Sequence, residues 1–177
     1  MQLIVVPIKI HLVKDPSGLY TSRRDDKNVS KLLADANRIW AQANVSFRVD
    51  EIVQTALGSS AIPNAMGGNF EELRQHENLD RERVNVFLAR RLLHPQGSMN
   101  GIALRALDSM LVADDTTVND FRTTAHELGH LLGLVHVEPP DRLMARGKNG
   151  EALSEAEVLI GRENANARDI RSSSEGV

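Results

Sequence analysis

The chain has 177 residues, 41% of them apolar and 25% charged, with 12 Gly, 6 Pro, no Cys and a formal charge of −3. The length suits one domain with a sizeable core, and the ordinary Gly and Pro content excludes collagen-like and low-complexity classes. The lack of Cys excludes disulfides, thiolate metal sites and a cysteine nucleophile; the charge gives no case for nucleic acid, and no apolar run approaches the roughly 18 residues of a membrane span.

Residues 3–13 (LIVVPIKIHLV) are rich in Ile and Val and stop at the turn signal Asp15-Pro16-Ser17-Gly18, the pattern of a strand. As a signal peptide this stretch fails, because Pro7 and Lys9 interrupt its apolar run and no small-residue cleavage site follows. Between Asn28 and Asn44, Val29, Leu32, Leu33, Ala36, Trp40 and Ala43 share one face at helical spacing, which predicts a helix that Asn28 caps and Asn44 ends. Residues 45–53 alternate as a second strand, and 54–68, rich in Gly, Ser, Asn and Ala, read as a loop. Asn69 with Glu72 predicts the capped start of a short helix to about His76. Three further strands are expected at 83–90, 101–107 and 109–114, and helices at 119–132 and from Ser154 to about Ala167. Ser154 and Glu157 form a capping box for the last of these, with Leu153 as a staple. The scarce aromatics, Trp40 and four Phe, are expected in the core. Residues 1–170 then form one α/β domain with a partly parallel five-stranded sheet, and the polar tail 171–177 is expected to be disordered.

One segment carries the chemistry: His126-Glu127-Leu128-Gly129-His130-Leu131-Leu132-Gly133-Leu134-Val135-His136. At about 100° per residue, Phe121, Ala125, Leu128 and Leu132 lie within about 40° of one direction, and His126 and His130 fall on the opposite side. The i, i+4 spacing stacks the two imidazoles close enough for one tetrahedral metal, with Glu127 about 100° further round, within reach of a metal-bound water. A straight helix cannot bring His136 to the same ion. Gly133 tolerates a positive φ, so the helix can end there and the chain can turn back, delivering His136 as a third ligand and leaving a fourth position open. That is the catalytic type of zinc site. The bland alternative is an amphipathic helix with solvated histidines.

This segment resembles the long zinc signature of metzincin metallopeptidases. After it, Val137-Glu138-Pro139-Pro140-Asp141-Arg142-Leu143-Met144 resembles their Met-turn, most nearly in its matrixin form. The resemblance implies a twisted mixed five-stranded sheet with two long helices packed on it and a C-terminal helix after the Met-turn. It also implies one catalytic Zn²⁺ on His126, His130 and His136, Glu127 as general base, Met144 as a floor beneath the metal, and protein or peptide substrates. Gly101, Ile102, Ala103 and Leu104 fall where metzincins place the strand that binds extended substrate. The sequence departs from the better-known branches at Val137, and at Arg146, where some families carry a Tyr that also binds zinc. No counterpart of the matrixin calcium or structural-zinc loops is seen, although Asp114-Asp115 could hold an ion. Arg105, Arg142 and Arg146 hint at tolerance for acidic side chains, against the plain reading of solvated surface. His11, His76 and His94 lack partner spacing and read as structural or surface groups. The resemblance favours a secreted protein, and a monomer is expected. Two other functions stay open: a zinc-containing binding module without turnover, its cleft closed by residues 54–82, and a zinc hydrolase of non-peptide amides in a narrow pocket.

Overall fold

In the computed structural model, residues 2–174 are described, with side chains as far as 168. In chain order the elements are β1 (Ile4–Lys14), α1 (Asp26–Trp40), β2 (Val45–Ala56), α2 (Ala61–Met66), α3 (Glu71–Gln75), β3 (Val84–Ala89), β4 (Leu92–His94), β5 (Gly97–Met99), β6 (Gly101–Leu104), β7 (Ser109–Ala113), α4 (Asp120–Leu131) and α5 (Glu155–Ser174).

β1 is apolar almost throughout because it is buried on both faces, as a central parallel strand must be. It pairs in parallel with β2 on one side and β3 on the other, giving the sheet order β2-β1-β3-β7-β6. β7 continues the parallel set, and β6 alone runs antiparallel, at the edge. The period-2 alternation of strand side chains divides the core in two. Val84, Val86, Leu88, Met110 and Val112 face α1, α4 and the buried Ala165 of α5. Phe87, Ala89, Leu111 and Ala113 face the opposite layer, where α2 and α3 contribute Ile62, Ala65 and Leu73. Trp40, Phe47 and Phe87 are buried, whereas Phe70 and Phe121 are only partly so. The Trp40 indole donates to Ala125 O and so ties α1 to α4.

Several boundaries differ from expectation, each for a local reason. Asp25, not Asn28, caps α1; Asn28 sits three residues on and returns the bond to the Asp25 backbone, completing a capping box. Asn44 does end the α1 region, in the left-handed conformation. β2 runs to Ala56, and the segment expected as a loop contains α2. Glu72 does not cap α3; its carboxylate accepts from Gly58 N–H, and Asn69 accepts from Glu71 N–H. The strand expected at 101–107 stops at Leu104, because 105–107 turn as a 3₁₀ helix ending on left-handed Asp108. The β4–β5 hairpin was not foreseen: its strands have three residues each, too short for a periodic pattern. The Ser154–Glu157 box opens α5, which continues to Ser174. Residues 175–177 of the expected tail lie outside the described residues.

His11 is a core group. It is fully buried in β1, bonded to Thr55 Oγ1 (2.8 Å) and Asn85 Oδ1 (3.0 Å) and stacked on Phe87. Burial pulls its pKa down to about 4. The unfolded chain therefore takes up this proton near pH 6.5 and the folded chain only near 4, so stability is lost as the pH falls through that window. The full window corresponds to about 3 kcal/mol. In urea denaturation at pH 7 and pH 4.5 with metal chelated, His11→Gln is expected to show a flatter pH dependence than wild type; identical slopes would refute this.

Candidate metal centre

The zinc-like segment begins inside α4. Its apolar stripe, Ala125, Leu128 and Leu132, is buried in the core as the periodicity requires, with Phe121 partly buried at its end. The opposite side is buried too: His126 and Glu127 are only 5% and 6% exposed, His126 under the returning segment, where it meets Leu143 O and His136, and Glu127 against Gly101 of β6. Gly133 makes that return. It has φ +86°, its N–H bonds to His130 O, and Leu134 N–H bonds to Gly129 O, the paired bonds of a Schellman cap.

The three imidazoles meet. His136 Nε2 lies 3.2 Å from His126 Nε2 and 3.1 Å from His130 Nε2, and one ligand atom from each ring falls within 4.8 Å of the others. In a tetrahedral zinc site with Zn–N of about 2.0–2.1 Å, ligand nitrogens stand about 3.3–3.4 Å apart. Backbone acceptors fix two of the tautomers: His126 Nδ1–H donates to Leu143 O (2.8 Å), and His130 Nδ1–H to Leu134 O (2.9 Å). Their Nε2 lone pairs therefore point at one spot, an arrangement that a cation relieves. Burial pulls His126 and His136 down to about 4 and lowers His130 as well, so all three are neutral at pH 7, the ligating form. The donor set fits zinc.

Met144 is fully buried, and its sulfur packs on Gly129, between His126 and His130; a Cβ at Gly129 would stand 2.7 Å from it. The turn carrying Met144 is held by Val137 N–H to Met144 O and by the Arg122 guanidinium, which donates to Leu143 O, Ala145 O and Gly150 O. Glu127 lies against the edge strand. Burial dominates and pushes the carboxyl up to about 8, against the opposing pull of the Arg122 charge and of a backbone hydrogen bond from Ala103. Gly101 is the strand position nearest it: a Cβ there would fall 2.8 Å from Glu127 Cγ.

These groups line an open cleft of about 550 Å³ together with Gly101, Ile102 and Ala103. Leu104, expected to bind substrate, does not line it: it points to the other face of the sheet and is buried with the α2 and α3 side chains, and Arg105 lines the cleft instead. Arg142 is also absent from the cleft, because it pairs with Glu157. Residues 54–82 contribute nothing to its walls; Ser98 and Met99 of the unforeseen hairpin do. Asp114 is engaged by Arg24 and Ser22. Arg122 and Gly129, which hold and pack the Met144 turn beside the histidines, were not foreseen from the sequence. Arg122 lies four residues before His126, on the same helical face, and that spacing was the available signal.

The sequence model of the matrixin family matches residues 19–158. No curated protein matches the sequence. Among solved structures, archaemetzincin from Methanopyrus kandleri superposes with a TM-score of 0.65 at 13% identity, over 91% of this chain and 96% of that one. Mature mirolysin from Tannerella forsythia, in complex with a cleaved peptide, gives 0.66 at 14% identity over 98% of each chain. Metalloproteinase-II from Bacteroides fragilis gives 0.63 at 14% identity, over 93% of this chain and 54% of that one. At such identities the likeness establishes the fold.

Proposed function

The chain belongs to the matrixin family of metzincin-like zinc metallopeptidases, and from that premise we propose that it is an endopeptidase whose zinc is held by His126, His130 and His136 and whose general base is Glu127. The observation that carries this reading is the meeting of three neutral imidazole nitrogens beside a buried carboxylate in an open cleft under a sheet edge. A zinc ion bound there supplies Lewis acidity, polarising a substrate carbonyl and acidifying water. The protein's part is positional. Glu127 Oε takes the proton of the attacking water and hands it to the leaving amine. Gly133 turns His136 into place, and Met144 fills the space against Gly129. β6 pairs with a strand on one side only, β7, and its outer edge, where Ala103 N–H is taken by Glu127, lies along the cleft where an extended peptide can add through the remaining main-chain groups beside Gly101 and Ile102.

Because no part of 54–82 lines the cleft, the closed binding module loses its covering element, and the openness of the cleft argues against a narrow pocket for small amides. The direct test is to incubate zinc-loaded protein with a diverse pool of unstructured peptides and read new termini by mass spectrometry. New internal termini are expected; their absence, with zinc confirmed bound, would overturn the reading.

Gly101→Ala tests the positioning of the base. A methyl group 2.8 Å from Glu127 Cγ must displace the carboxylate, and a misplacement of about 1 Å can cost about 100-fold in rate. A loss of that order in kcat is expected at unchanged zinc content, and full activity would refute it.

A further inference from the structure

Three arginines line the cleft: Arg105, Arg122 and Arg146. The only acid among the lining residues is Glu127. Elsewhere many of the arginines pair with carboxylates, as in Arg24–Asp114, Arg38–Glu151 and Arg168–Asp108, although Arg162 bonds backbone carbonyls instead. The three in the cleft have no such partner among the described residues. A chain of net charge −3 thus lines its cleft with cations.

What each guanidinium does touch is informative. Arg122 is 97% buried, since 3% of it is exposed. Its Nε and Nη2 bond to backbone carbonyls, whereas its Nη1 has no partner among the described residues and is not sealed from solvent. Arg105 Nη2 donates to Leu134 O (2.8 Å). Arg146 is exposed, and its Nε–H donates to His136 Nδ1 (3.0 Å). A neutral imidazole that ligates through Nε2 carries its proton on Nδ1, so the loaded site withdraws that acceptor and leaves the Arg146 donors for the occupant of the cleft.

Resting on the endopeptidase reading, we infer that the cleft selects peptides with an Asp or Glu side chain within two residues of the cleaved bond. Such a carboxylate gains charge-assisted hydrogen bonds from guanidinium groups whose own hydrogen bonds go to neutral acceptors, and a Lys or Arg at the same place meets like charge. The field of the cleft also draws acidic segments toward it.

The test uses peptides acetylated and amidated at their ends, so that the only carboxylate is the side chain under study. Matched peptides carry Glu, Gln or Lys at each position flanking a bond cut in the pool. For wild type, kcat/KM is expected to be at least about tenfold higher for Glu than for Gln at one of these positions, the scale of one hydrogen bond to a charged group. Arg146→Glu and Arg105→Glu, both at exposed positions, are expected to erase or reverse that ratio at unchanged zinc content, which is measured because Arg146 bonds His136 and Arg105 bonds Leu134 O. Binding is read separately, by fluorescence anisotropy of the same peptides on zinc-loaded Glu127→Ala protein. Glu is expected to bind more tightly than Gln, with an advantage that shrinks as salt is raised. Equal rates and equal binding for Glu and Gln would overturn the inference. If the pool yields no cut, the same substitutions are made in one unstructured peptide and read by binding alone; tighter binding of Glu would then uphold the acidic preference of the cleft while overturning the endopeptidase reading.

Discussion

Replacing Glu127 with Ala is expected to lower kcat/KM by about 10²–10⁴-fold, the usual contribution of a positioned general base, while leaving zinc content unchanged. The separation follows from the geometry. In the proposed site the atoms that would face the metal are the three Nε2 nitrogens, and Glu127 is not among the residues that converge on one another. Its side chain is sealed between α4 and β6, against Gly101, where burial alone would hold it protonated near neutral pH. A bound dication next to it acts in the opposite direction and favours the carboxylate that a base requires. Glu127→Gln, which keeps the shape and the packing but not the proton affinity, is expected to lose as much activity as Glu127→Ala. If Gln retains activity close to wild type, the residue is not the base. Rates on a peptide cleaved in the pool, beside metal content by elemental analysis, decide the matter.

The parts of this site that were legible in the sequence are those set by local geometry. The i, i+4 spacing of His126 and His130 depends only on the helix, and Gly133 could be assigned its turn because a positive φ is nearly a glycine property. Both stand in the structure as expected: the imidazoles meet, and Gly133 has φ +86°. The fold was legible for the same reason, since long periodic segments such as α1 and β1 announce their type.

What was illegible depends on long-range packing. Strand alternation puts Leu104 and Arg105 on opposite faces, but only the packing says which face meets the cleft, nor does the sequence around Arg142 reveal its ion pair with Glu157. Gly129 looks like an ordinary motif glycine until the Met144 sulfur is seen against it. Asn28 and Asp25 are both good capping residues, and only the fold chooses between them. The β4–β5 hairpin has strands of three residues each, one of them fully exposed, too short to show a periodic pattern, yet it supplies a wall of the cleft.

Removal of the metal is expected to lower the melting temperature by about 8–16 °C, taking zinc at roughly 1,000 times its Kd, hence about 4.1 kcal/mol, and about 2–4 °C per kcal/mol for a chain of this size. The site exists only in the folded chain: His136 reaches the other two histidines through the Gly133 turn, and His126 is oriented by Leu143 O, a carbonyl 17 residues away. A ligand that binds this arrangement and not the unfolded chain stabilises the fold by mass action. The structural elements around the site make the effect spread. Arg122 clamps the Met144 turn from α4, and Trp40 joins α4 to α1, so loosening the histidines is felt in the main core. His130→Ala separates this from a general effect of chelators. The variant is expected to melt near the temperature of chelated wild type and to respond little to chelator. An unchanged wild-type melt, with the metal verifiably removed, would refute the linkage and with it the assignment of the three histidines as ligands of a folded-state site.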